Sequence, residues 1–118
     1  MNRKVFNYLQ IAAQAATRKK DERSFLLGAC AIRSDGAIVV AANASSEFPE
    51  RLLHAENRLT KKLDKGAIVY VARVKLIDGS FGMAKPCIDC QKVLMSKKVK
   101  RVYYTINPEN YGIWIPKY

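Results

Sequence analysis

The chain predicts an α/β fold, a three-layer α-β-α sandwich built on a mixed four-stranded sheet. Two observations carry this. A hairpin signal, Ser34-Asp35-Gly36, joins two apolar runs, Phe25 to Arg33 and Ala37 to Ala42, and Asp-Gly between such runs favours a tight β turn. Beyond it, helical and β-rich patterns alternate, which places helices on both faces of a sheet with at least one parallel pair. The whole order reads α-β-β-α-β-α-β.

Each element follows from local pattern. From Arg3 to Lys20, residues Val5, Leu9, Ala12, Ala13 and Ala16 share one helical face, and Arg18-Lys19-Lys20 suits the negative end of that helix. Asn43 to Arg51 is polar, contains a proline and reads as a loop. Leu52 to Lys65 returns to helical period, with Ala55, Leu59 and Leu63 inward and Arg58, Lys61, Lys62 and Lys65 outward. Ala67 to Val74 is β-rich, and Asp78 to Lys85 is a loop with two glycines. Pro86 to Lys97 is a further amphipathic helix, its proline suited to the first turn. Arg101 to Ile106 is the last clear strand. The tail, 107–118, has no assignable pattern. If the last two strands are parallel neighbours, the crossover between them is right-handed.

Composition narrows the function. The chain has 118 residues, 49% of them hydrophobic, which suits one domain, 1–118, with a real core. Its 21 Lys and Arg against 10 Asp and Glu give a formal charge of +11. Such a chain attracts anions: nucleotides, nucleic acid or lipid head groups. The N-terminal stretch is broken by Asn7, Gln10 and Gln14, unlike a signal peptide, and no uncharged run is long enough to cross a bilayer. Three cysteines, two of them three apart, suggest metal or redox chemistry in a reducing compartment. The expectation is a soluble cytoplasmic protein without a membrane role.

Two short motifs carry chemistry. His54-Ala55-Glu56 opens the second predicted helix, and Pro86-Cys87-Ile88-Asp89-Cys90 opens the third. Cys87 and Cys90, at i and i+3, emerge from one face of a first turn, where the helix N-terminus favours thiolate. If the two helix starts lie side by side, zinc gains His54, Cys87 and Cys90 as ligands and keeps its fourth position for water. Three ligands and an open position form the catalytic arrangement, whereas structural zinc is normally closed by four. Cys30 could supply a fourth, but it lies in the apolar run Gly28-Ala29-Cys30-Ala31-Ile32, where cysteine reads as a small buried hydrophobe. Glu56 lies near enough to reach such a water and to pass its proton to a leaving group. Taken singly, each motif has bland readings: a surface His–Glu pair, a redox pair, a structural zinc half-site.

His-x-Glu followed by Pro-Cys-x-x-Cys resembles the zinc-dependent cytidine and deoxycytidylate deaminase superfamily, whose signature this is. The resemblance runs from the first helix to Ile106. It implies that one zinc ion is held by His54, Cys87 and Cys90 and that Glu56 is the catalytic proton shuttle. It further implies that Asn43 and the backbone N–H of Ala55 bind substrate, and that cytosine is converted to uracil. The His-Ala-Glu setting is similar to the deoxycytidylate and tRNA-adenosine branches. Lys85 stands where the adenosine branch usually has glutamate, and relatives commonly have glycine where this chain reads Ser96-Lys97-Lys98-Val99. Relatives also continue with a further helix and often a fifth strand, so the tail or a second subunit is expected to cover the sheet edge.

The motifs do not choose the base or the size of the substrate. Basic tracts at Arg18-Lys19-Lys20, at Arg58 with Lys61, Lys62 and Lys65, and at Lys97-Lys98 with Lys100 and Arg101 exceed what one mononucleotide needs. Each tract by itself also fits a solvated helix end. The expected substrate is therefore phosphorylated, either deoxycytidylate or single-stranded nucleic acid. Homo-oligomer formation stays open. The alternatives are adenosine deamination in tRNA or other nucleic acid, a catalytically idle nucleic-acid-binding zinc protein, and a metal-free thiol oxidoreductase. Tyr111, Trp114 and Tyr118 either stack on a base or pin the tail.

Overall fold

The computed structural model describes residues 2–17, 25–42, 59, 61–75 and 78–118. In chain order the elements are α1 (Arg3–Thr17), β1 (Phe25–Ile32), β2 (Ile38–Ala42), β3 (Ile68–Lys75), β4 (Phe81–Gly82), α2 (Ile88–Ser96), β5 (Arg101–Asn107) and β6 (Asn110–Trp114). The sheet order is β2-β1-β3-β5-β6, with β4 on β3. β3 and β5 are parallel, and every other pairing is antiparallel. The mixed sheet is thus as expected, with six strands rather than four.

The two extra strands have local causes. β4 is only two residues long, too short for any periodicity, and it turns back onto β3 through Gly79 at φ 73. Ser80 closes that turn by donating its backbone N–H to Asp78 Oδ1 at 2.9 Å. β6 lies in the tail, where glycine and scattered aromatics hide its alternation. Asn107 Oδ1 accepts the N–H groups of Glu109 and Asn110, both at 2.9 Å, and so folds the chain back along β5. Gly112 lies opposite Tyr104, whose ring fills the place a side chain would take: a Cβ there would collide with the ring. The tail therefore covers the β5 edge itself.

Strand alternation sends side chains to two faces. On one, Val5, Leu9 and Ala12 of α1 pack against Cys30, Tyr70, Ala72 and Tyr103. Stacked rings run through this layer, Tyr8 on Tyr70 at 4.9 Å and Tyr70 on Tyr103 at 5.1 Å. On the other face, Leu59 and α2's Leu94 cover Ala29, Ala31, Val69, Val71 and Val102. These are the three layers.

α1 starts where Asn2 Oδ1 accepts the N–H of Lys4 at 3.0 Å, an ordinary N-cap. Its buried face is Val5, Leu9, Ala12 and Ala15, with Ala13 only half-buried; the side chain of Ala16 and residues 18–20 lie outside the described residues. The basic end assigned to this helix therefore falls there too. Of the second predicted helix, 52–58 and 60 lie outside the described residues. Leu59 is helical and buried, Leu63 packs on the core, and Lys61, Lys62 and Lys65 are exposed as the pattern required. That helix does not reach Lys65: Lys62 donates its N–H to Leu59 at 2.8 Å, an i to i−3 turn that ends it, and Asp64 is drawn to Ser34.

No helix among the described residues is long and apolar enough to cross a membrane.

Candidate metal and active site

The Pro-Cys-x-x-Cys motif sits where the carboxyl ends of the parallel strands meet a helix start, the usual ligand edge of α/β sheets. β4 leads into 83–87, and this segment is tied to β5: Ala84 donates its N–H to Thr105 O at 2.8 Å. Thr105, fully buried, adds two side-chain bonds. Its hydroxyl donates to Gly82 O at 2.7 Å and accepts the N–H of Arg73 at 3.1 Å. One threonine thus joins β3, β4 and β5 just ahead of the cysteines. Nothing in its sequence context marks it, since an isolated Thr in a strand reads as an ordinary β-former.

α2 begins at Ile88, with Cys87 in the N-cap position (φ −66°, ψ 167°). Pro86 therefore precedes the cap rather than opening the first turn, and its carbonyl accepts Gln91 Nε2 at 2.9 Å. N-cap side chains usually spend an oxygen on the first-turn N–H groups. Cys87 makes no such bond, so its sulfur is not committed to the helix. Its carbonyl accepts the N–H of Gln91 at 2.9 Å, which fixes the first turn. Cys90 follows one turn later, fully buried where Cys87 is exposed. Neither is in a disulfide. Two sulfurs on one first turn, one buried and one uncapped, at the positive end of a helix dipole, fit a thiolate-binding metal.

Cys30 does not belong to this centre. It packs in the α1 layer, whereas α2 covers the opposite face of the sheet. Its Sγ donates to Tyr8 O at 3.2 Å, and burial pushes its pKa up to about 12. It is a protonated core thiol, as its apolar setting implied, and is no fourth ligand.

His54, Ala55, Glu56 and Asn43 lie outside the described residues; Asn43 directly follows the end of β2 at Ala42. Among the described residues there is no group of three or more His, Cys, Asp or Glu side chains able to hold a metal. The structure thus presents two donors of the expected set.

The fold and the paired cysteines define an α/β protein with one half of a thiolate metal site. Residues 3–106 match the family described as the cytidine and deoxycytidylate deaminase zinc-binding region. The chain belongs to that family, and zinc is its metal. The match spans both motifs and Asn43. Comparison with curated proteins finds no matching sequence. Among solved structures the chain is similar to the cytidine deaminase from Burkholderia pseudomallei, with TM-score 0.67 and 17% identity over 98% of this chain and 93% of that one. It is similar also to the dCMP deaminase from the cyanophage S-TIM5, with TM-score 0.60, 20% identity and coverage of 90% and 86%. A third is the cytidine deaminase from Mycobacterium leprae, with TM-score 0.60, 18% identity and coverage of 92% and 91%. Identities this low speak for the fold, and the family match speaks for the chemistry.

Proposed function

We propose that this protein hydrolyses the exocyclic amine of cytosine in a phosphorylated substrate, deoxycytidylate or single-stranded nucleic acid, to leave uracil. The observation that carries the reading is the uncapped Cys87 beside buried Cys90 on the first turn of α2, in a chain whose family is a zinc-binding deaminase. His54, Cys87 and Cys90 would hold the metal, and the open fourth position would supply a water made nucleophilic at neutral pH.

The chain's own groups do the rest. Glu56 takes one proton from the attacking water and delivers it to N3 of the ring as the water oxygen bonds to C4. It then takes the second proton from the new C4 hydroxyl and gives it to the amine, so that the C4–N bond breaks and ammonia leaves as the C4 carbonyl forms. The Ala55 N–H orients the pyrimidine carbonyl, and Asn43 holds the sugar or base. We read residues 1–118 as one domain acting in the cytoplasm.

The test is a product assay with deoxycytidylate, cytosine-containing single-stranded oligonucleotides and tRNA, beside elemental analysis for zinc. Uracil products, lost in Glu56→Gln with zinc retained at one per chain, are expected. An active Glu56→Gln variant overturns the shuttle, and inosine from tRNA without any uracil overturns the choice of base.

A further inference from the structure

Lys65 and the tract Lys97–Lys100, far apart in the sequence, lie on one surface in the fold. Gly66 donates its N–H to Lys98 O at 2.9 Å, and Lys100 donates its own to Ala67 O at 2.8 Å. These bonds lay the turn carrying Lys65 alongside the segment Lys97–Lys100, at the end of the sheet where β3 and β5 begin. Lys65, Lys97, Lys98 and Lys100 are all exposed. Among the described residues none of them has an ion pair. The nearby carboxylate of Asp64 is instead engaged by Ser34 and Arg33. Tyr118, 63% exposed, is held here by its hydroxyl, which donates to Val99 O at 2.8 Å, and Lys98 Nζ lies 4.8 Å over its ring.

This surface is not the catalytic edge. α2 carries the cysteines at its start and this surface at its end, and its nine residues put about 13 Å between the two. That separation sets the four lysines apart from a base held beside the cysteines.

We infer that Lys65, Lys97, Lys98 and Lys100, with the Tyr118 ring, form a docking surface for the backbone of a single-stranded nucleic acid, remote from the catalytic edge. The lysines neutralise successive phosphates, and the ring offers a face on which a base stacks. This deepens the proposed function by naming a polymer partner, but binding here is separable from turnover.

The test is fluorescence anisotropy with a labelled oligothymidylate of about fifteen nucleotides, long enough for one such site and free of cytosine. Four phosphate contacts on a single strand give a slope of log K against log salt near −3, so affinity falls roughly 50-fold between about 50 and 200 mM salt. The pair Lys65→Gln with Lys98→Gln should make that slope shallower by about 1.4. The pair Arg3→Gln with Lys4→Gln, which removes the same charge from exposed positions at the start of α1, on the other face of the sheet from α2, should leave the slope unchanged. Circular dichroism confirms folding, and turnover of deoxycytidylate should be equal in both pairs. Equal effects of the two pairs on the slope, absence of oligonucleotide binding, or binding only to vesicles of anionic lipid would each overturn the surface. Loss of turnover in the wild-type assay with the slope difference intact would instead overturn the proposed reaction and leave the docking surface standing.

Discussion

Replacing Thr105 with valine keeps the shape of a fully buried side chain and removes its hydroxyl. Two hydrogen bonds go with it, the one Gly82 O accepts from that hydroxyl at 2.7 Å and the one the Arg73 N–H donates to it at 3.1 Å, while the strand pairing of Arg73 with Gly82 remains. Such a bond contributes about 1 kcal/mol net, so losing the two costs roughly 2 kcal/mol in total. For a chain of this size that lowers the unfolding midpoint by roughly 10 °C. Serine is the control, because it keeps both bonds and loses only a methyl group, about 1 kcal/mol. Chemical denaturation of the three proteins at one fixed free-zinc concentration reads the difference. Because β4 leads straight to the cysteines, chelator competition should also show faster zinc release from Thr105→Val than from Thr105→Ser. A valine variant as stable as the serine variant would refute the bridging role.

Two more outcomes follow from the site and its surroundings. Cys87→Ser and Cys90→Ser should both fail to retain stoichiometric zinc by elemental analysis, yet differ once metal is stripped from every protein. Exposed Cys87 should then change stability by less than about 0.5 kcal/mol, whereas serine at buried Cys90 should cost about 1–3 kcal/mol. Equal metal-free stabilities would contradict the assigned burial. Asp64 accepts hydrogen bonds from the Ser34 side chain and backbone, and these hold its carboxyl below the ordinary 3.8. A carboxyl lowered in the folded state stabilises it above its unfolded pKa, and loses that contribution as pH falls through the folded value. The thermal advantage of the wild type over Asp64→Asn should therefore be constant near neutrality and shrink below about pH 3.8; a difference independent of pH would count against it.

Much of the fold was legible because most of it follows local rules. The Asp35-Gly36 turn, with Gly36 at φ 90, joins β1 and β2 as the antiparallel pair the hairpin signal asks for. Strand limits at β1, β2, β3 and β5 agree with the apolar runs to within a residue. The C-terminal end of α2 shows what local rules miss. Lys98 adopts φ 56 where glycine is the usual choice, because its N–H reaches Met95 O at 3.0 Å and its carbonyl takes the Gly66 N–H. Tertiary bonds hold a conformation that the residue type disfavours. Tyr111 and Trp114 resolve in the same way: one packs on the α1 layer, the other on the opposite layer, and both pin the tail rather than stand free for a base.

The amino-acid order alone determined the alternation of helix and strand, the hairpin turn and the two motifs that name the chemistry, because each depends on residues within a few positions of one another. Only the folded chain decided that Thr105 anchors the cysteine segment, that Cys30 faces away from it, and that Lys65 shares one surface with Lys97–Lys100 at the far end of α2. Those facts rest on hydrogen bonds between segments tens of residues apart, and no spacing along a chain records which distant backbone groups will meet.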